Sequence, residues 1–185
     1  MSNTITDIYR ADYHAESLKQ IITGLNNSIN TLRKRYEEVS GYDGLWLLED
    51  SKPIFGMAFI AFQNYINTSI NELFEGMENK TSYYKIGSKS KSYDKSNIEL
   101  IIGLANYFKH KDEERLHAGT QNILDAFNLK PSSRIEESPI FEGLAILDEK
   151  WDLFKLYEIV INWRKELYNH YYRKTYLKNS SSVDD

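Results

Sequence analysis

The chain has no cysteine, and this absence excludes several kinds of chemistry at once. Disulfide bonds, thiolate nucleophiles and cysteine-ligated zinc all require the residue, and its absence suits a reducing compartment, so we expect a cytoplasmic protein. Long apolar runs are also lacking. The longest, residues 54–62, is far shorter than the roughly 20 residues that cross a bilayer. The first ten residues, MSNTITDIYR, lack the pattern of a secretory signal.

An excess of positive charge is lacking too, because the formal net charge is −4. This argues against a protein that coats nucleic acid by bulk electrostatics, although local basic patches stay open. Only three prolines and nine glycines interrupt a chain that carries 14 tyrosines and eight phenylalanines. We therefore expect one ordered domain over residues 1–178 and a disordered tail over residues 179–185.

Helical periodicity is the strongest pattern that is present. Apolar residues spaced by three and four predict a first helix over about residues 4–39. Ser51 and Pro53 indicate the start of a second helix, which reaches about residue 75 and whose apolar first half predicts a central position. The segment 79–95 has no helical period, carries five lysines against one aspartate, and is predicted to be a basic loop.

The second half of the chain continues the all-helical pattern. A capping box at residues 96–99 starts a third helix, which ends in LANYFKHKDEE at residues 104–114. A short helix is expected at about residues 120–127 and a last long helix at about 144–172. No segment shows the alternation of a half-buried strand. The predicted fold is all-α, an antiparallel helical bundle of four main helices plus a short helix.

The end of the third helix resembles the motif of HEPN domains, small helical proteins of prokaryotic defence and toxin systems that often cut RNA without metal. Their motif is an Arg, usually followed by a polar residue such as Asn, with a His five residues after the Arg. Here Asn106 and His110 match, and Ala105 stands at the Arg position. The resemblance implies a homodimer with no metal and no cofactor, in which His110 is the base, Asn106 the orienting amide, and Lys109 or Lys111 the cation.

Other interpretations of these residues remain open. Asn106 and His110 can simply terminate a helix at its negative end, where basic groups are favoured. If the helix ran on to His117, then Asn106, His110, Glu113 and His117 would share one face and could hold a divalent ion. Arg164 and His170 form a second Arg/His pair on the last helix, where a half-buried structural role for the histidine is favoured.

RNA contacts are predicted in two basic regions. Aromatic side chains that stack on bases, interleaved with cations that follow phosphates, are typical of single-strand binding. The predicted contacts are Lys85, Lys89, Lys91, Tyr84, Arg164 and Arg173. The alternative is a solvated linker and a helix end whose charges bind nothing.

Two functions from different classes follow. The first is a HEPN-like protein of a bacterial defence or toxin-type system, acting as a metal-independent ribonuclease or as a non-cleaving RNA-binding relative. The second is a non-enzymatic helical interaction or regulatory module that binds a partner protein through its apolar helix faces.

Overall fold

The computed structural model describes residues 11–74, 79–90, 92–132 and 134–172. Within these ranges the protein is all-α and has no strand, which confirms the predicted fold class. The helices are α1 (Ala15–Glu38), α2 (Gly44–Phe74), α3 (Lys80–Tyr84), α4 (Asn97–His110), α5 (Ala118–Ala126), α6 (Pro139–Leu147) and α7 (Leu153–Tyr172), with a 3-10 turn at Ile135–Glu137. The antiparallel arrangement of four main helices stays a prediction.

Helix α1 begins later than its periodicity predicts. Residues 11–14 are not helical, and the helix starts at Ala15, whose backbone N–H donates to the Asp12 carboxylate at 3.0 Å. This local bond gives the chain an alternative to an earlier helical turn. The predicted helix was therefore wrong over residues 11–14, and residues 4–10 lie outside the described ranges.

Helix α2 begins at Gly44, several residues before the predicted start at Ser51, and Pro53 lies inside it. Asp43 explains the difference, because its carboxylate accepts the backbone N–H of Leu45 at 2.9 Å and of Trp46 at 3.1 Å. A side-chain cap of this kind satisfies first-turn donors that have no helical acceptor. The prediction took the proline as a start signal and missed the aspartate.

The central position predicted for α2 is confirmed, since it contacts α1, α4 and α7. Its fully buried phenylalanines, Phe55, Phe59 and Phe62, pack in one core with side chains of α1, α4 and α7. Close packing on α4 is visible at Gly56, where an added Cβ would meet the ring of Phe108 at 2.3 Å. The α2–α4 contact therefore places Gln63 of α2 beside the end of α4.

The predicted last helix is wrong in one respect, because α6 and α7 are separate. The Asp148 carboxylate accepts the backbone N–H groups of Lys150 and Asp152, each at 3.0 Å, and Trp151 adopts a left-handed φ of 56°. Asp152 then accepts the N–H of Phe154 at 2.8 Å, near the start of α7. Side chains that bond the local backbone favour such a break.

The predicted basic loop contains a short helix, α3, and is therefore only partly irregular. The capping box before α4 is confirmed: Ser96 accepts the N–H of Glu99 and Glu99 accepts the N–H of Ser96. Helix α5 lies close to its predicted position. Within the described ranges, no helix combines the length and apolar composition that a membrane span requires.

Candidate functional site

The last turn of α4 separates a buried side from a solvent-facing side. Ala105 is fully buried, whereas Asn106 is half-buried and Lys109 is exposed. By helical geometry Asn106, Lys109 and His110 fall within an arc of about 100° on one side of the helix. The position that carries Arg in the HEPN motif thus faces the core, and the cation one turn later, Lys109, faces outward.

Gln63 of α2 links Asn106 to Lys109. Its side-chain N–H donates to Asn106 Oδ1 at 2.8 Å, and its Oε1 accepts from Lys109 Nζ at 2.7 Å. Gln63 is itself only 8% exposed. Two of the three predicted catalytic side chains are therefore held by one buried amide on a neighbouring helix.

His110 contacts a residue that follows α4 in the chain. Its Nδ1 lies 2.6 Å from Glu113 Oε1, and its side chain remains 45% exposed. Because an ionised carboxylate only accepts hydrogen bonds, Nδ1 is the donor in this contact. In the neutral ring Nε2 is then the nitrogen that is free to accept a proton.

Charged side chains of both signs lie around this turn. Partial burial of the ammonium, and then the charge of Lys80, lower the pKa of Lys109 from its ordinary value. Lys111 pairs with Asp112, both oxygens lying 3.0 Å from its Nζ. An open groove of about 620 Å³ lies beside the end of α4, and its charged lining is mixed: Lys111 and Arg115 with Glu113 and Glu114.

The arrangement on which the metal hypothesis depended is not formed. Helix α4 ends at His110, and His117 instead caps α5, where its Nδ1 accepts the backbone N–H of Gly119 at 3.1 Å. The four side chains therefore do not share one helix face. Among the residues that the structure describes, no group of three or more His, Asp or Glu side chains could hold an ion.

The second Arg/His pair, on α7, lies in a different environment. Arg164 is 4% exposed, and its guanidinium lies 3.9 Å from the Glu72 carboxylate. The structure thus places this predicted RNA contact in the core. His170 is exposed, with its ring 6.5 Å from that of Phe74 and 6.4 Å from that of Tyr83, instead of half-buried as predicted. The arginine is thus in the core, whereas the histidine is at the surface.

The tyrosines of the predicted basic loop pack against the protein, including Tyr84, which was predicted to stack on RNA bases. Tyr84 is buried and donates to Asn67 Oδ1 at 2.7 Å, and burial raises its pKa to about 12. Tyr83 stacks on Phe74 with ring centres 4.2 Å apart, and Tyr93 lies against Phe127. This segment therefore contributes its rings to the core.

The lysines of the same segment are not equivalent. Lys85 is exposed, whereas Lys89 is paired with Asp94 at 2.7 Å. That pair raises the pKa of Lys89 and lowers the pKa of Asp94. The other two predicted RNA contacts, Lys91 and Arg173, lie outside the described residues. Lys85 is thus an exposed cation of this segment.

Sequence reasoning missed the two partners of the α4 residues. Glu113 was considered only as a metal ligand, although its position three after His110 is a spacing at which side chains can meet. Gln63 carried one weak sign, a polar side chain within the apolar pattern of a central helix. Buried polar groups need hydrogen-bond partners, so such a residue could have been marked for attention.

Comparison with models of protein families, with curated proteins and with solved structures gives no match to this chain. The resemblance to HEPN domains therefore depends on the helical layout and on Asn106 and His110.

Proposed function

We propose that the protein is a HEPN-like, metal-independent endoribonuclease of a bacterial defence or toxin-type system, with its site at the end of α4. The observation that carries the proposal is the half-exposed imidazole of His110, whose Nδ1 contacts the Glu113 carboxylate at 2.6 Å. A carboxylate that fixes one ring nitrogen leaves the other as a general base.

The chemistry requires no group beyond these side chains and the RNA. His110 Nε2 takes the proton of a ribose 2′-OH, and the oxygen attacks the adjacent phosphorus. The bond to the 5′ oxygen breaks, that oxygen is protonated from solvent, and a 2′,3′-cyclic phosphate remains on the other fragment. The imidazolium then returns its proton to solvent.

Lys109 and Asn106 supply the stabilisation of phosphate charge. Donors aimed at developing charge lower the barrier because they need little reorganisation during the reaction. Since Ala105 replaces the motif arginine, the charge comes from a point-like ammonium one turn later instead of a bidentate guanidinium. The expected enzyme is therefore slow. A homodimer that brings two α4 ends together, as the resemblance implies, is part of the proposal.

The assay is cleavage of single-stranded RNA in excess EDTA, followed by analysis of the fragment ends. The proposal expects cyclic phosphate ends from the wild type, and none from RNA whose 2′-OH groups are methylated. Intact RNA in this assay, or ends of another kind, would contradict it. Light scattering after size exclusion tests the dimer, and a monomer at tens of micromolar would remove the two-chain site.

A second candidate, a non-enzymatic module that binds a partner protein, is favoured by one observation. Four large side chains are about half exposed at the tip where α1 turns into α2, namely Tyr36, Val39, Leu45 and Trp46. Clustered aromatic and aliphatic side chains of this kind are typical of interaction surfaces. This candidate expects intact RNA in the assay above, and loss of cross-linking to a partner when Trp46→Ser is introduced.

A further inference from the structure

Gln63 is a buried side chain with no assigned role, and its two hydrogen bonds determine which way its amide points. A lysine ammonium can only donate. The oxygen of Gln63 must therefore face Lys109, at 2.7 Å, and its NH₂ group must face Asn106, at 2.8 Å. The direction of this amide follows from the chemistry of its partner.

The orientation of Asn106 follows in turn. Because the NH₂ group of Gln63 donates, Asn106 must present its oxygen to Gln63 and direct its own NH₂ group elsewhere. Asn106 is half-buried, so this group lies at the boundary with solvent. The bonded chain Lys109, Gln63, Asn106 thus presents donors at both ends.

The two acceptor oxygens of this bonded chain, on Gln63 and Asn106, each take a hydrogen bond from within the chain. Lys109 keeps two further N–H donors after its bond to Gln63, and Asn106 keeps its NH₂ group. Lys80 lies near enough for its charge to act on Lys109. A set of donors and positive charges, with acceptors turned inward, is complementary to an anion with several oxygens.

We infer that Gln63 is a positioning residue that sets this polarity, so that Asn106 and Lys109 together form a phosphate-binding site at the end of α4. The inference depends on the proposed function only in taking the RNA phosphodiester as the natural ligand. The same donors would hold any phosphate group.

Gln63→Glu provides an isosteric test of the inference. The new carboxylate would accept from Lys109 and cancel its charge. Its second oxygen would draw the NH₂ group of Asn106 inward and turn the Asn106 oxygen outward. Hydrogen bonds to charged groups are strong enough that their loss should raise the Kd for inorganic phosphate about tenfold or more.

A matched control is available on α1. Gln20→Glu adds the same charge at an exposed glutamine, which donates to Glu16 at 2.7 Å. It should leave the Kd for phosphate unchanged. Asn106→Ala, which removes the amide donor without adding charge, is the second test variant and should also weaken phosphate binding.

The measurement is an NMR titration of the ¹⁵N-labelled full chain with sodium phosphate at constant ionic strength. The backbone amides of residues 106–110 and the side-chain NH₂ of Asn106 are followed. We expect these signals to shift in the wild type and in Gln20→Glu, and to respond far more weakly in Gln63→Glu.

Each outcome decides the inference. If phosphate does not shift these signals in the wild type, or if Gln63→Glu binds as tightly as the wild type, the inference is wrong, even when the RNA is cleaved. If phosphate binds and Gln63→Glu weakens it while RNA stays intact, the inference stands and the proposed function fails. Should Gln63→Glu not fold by circular dichroism, unchanged binding in Asn106→Ala would overturn the inference, and weakened binding would support it.

Discussion

Two regions were predicted to meet RNA, and the protein uses their polar and aromatic side chains in opposite ways. The first is the end of α4, with Asn106, Lys109 and His110. The second contains the predicted contacts Tyr84 and Arg164. We call it the α3–α7 seam and include in it the neighbouring Tyr83, Trp163 and His170. In the seam Trp163 is 2% exposed, and its indole N–H donates to the backbone oxygen of Tyr83 at 3.1 Å. At the end of α4 the charged groups stay at the surface.

The difference shows that residue type and spacing alone do not identify a site. Both regions place cations near a histidine on a helix. In the α3–α7 seam the cation is Arg164, which is buried, and its guanidinium faces the Glu72 carboxylate of the same protein. At the end of α4 the buried position is filled by Ala105, and the charges face outward. Exposure of the cation therefore separates a candidate site from a structural contact.

The largest effect is expected when the motif arginine is restored at the end of α4. Ala105→Arg would place a guanidinium at a position that is fully buried. An unpaired buried charge together with overpacking should lower the free energy of unfolding by about 4 kcal/mol or more. Urea unfolding measures the loss of stability. The control is Ala118→Arg, which places the same side chain at an exposed position. Equal stability of the two variants would show that α4 can present an arginine there.

The next effect concerns the buried arginine of the seam. Arg164→Leu removes the buried guanidinium that lies 3.9 Å from the Glu72 carboxylate. Glu72 is about a third exposed and keeps its contact with His14 at 2.8 Å, so the free energy of unfolding should fall by about 2 kcal/mol, as for a lost hydrogen bond to a charged group. The adjacent exposed residue supplies the control, since Lys165→Leu should change it by less than about 0.5 kcal/mol. Similar urea midpoints for the two variants would mean that Arg164 is not structural.

Tyr84 makes the stability of the protein depend on pH in the alkaline range. Its folded-state pKa, about 12, lies above the ordinary value of 10.0, so the folded protein holds the phenolic proton more tightly than the unfolded chain. This stabilisation is complete below pH 10 and is lost as the pH rises through about 12. It amounts to something on the order of 2 kcal/mol.

Tyr84→Phe has no such proton to lose, although it forfeits the bond to Asn67 at all lower pH values. The stability deficit of the variant at neutral pH should therefore shrink or reverse as the pH passes from about 9 to about 12. Thermal unfolding over that range is the measurement, and Tyr13→Phe, an exposed tyrosine, is the control. A deficit that stays constant with pH would place Tyr84 in contact with solvent.

The smallest effect on stability is expected at Lys109. Its ammonium is bonded to Gln63 but the residue is exposed, so Lys109→Ala should change the free energy of unfolding by no more than about 1 kcal/mol. The rate of RNA cleavage, in contrast, should fall strongly. A stability loss as large as that of Arg164→Leu would make the end of α4 a second structural contact, and the comparison between the regions would fail.

Local signals in the sequence predicted much of this fold. The capping box at Ser96 and the apolar pattern of α2 gave correct results, because each depends on neighbours along one helix. The break after Leu147 was missed because an aspartate that bonds its own backbone competes with a continuous apolar stripe. Pro53 was misinterpreted because Asp43 had already started the helix.

The site was less predictable, since its geometry depends on packing between helices. Nothing local places Gln63 opposite Asn106, which is 43 residues away in the chain. Burial of Tyr84 and Arg164 likewise depends on contacts with distant segments. Composition indicated which side chains could bind RNA, and only the tertiary structure shows which of them remain accessible.

The most direct test compares the two histidines of the two regions in the same cleavage assay. The rate of RNA cleavage in EDTA is measured for His110→Ala and for His170→Ala. A general base contributes about 100-fold or more, so the rate should fall at least that far in His110→Ala and stay at the wild-type value in His170→Ala. An unchanged rate in His110→Ala, or an equal loss in both variants, would contradict the account.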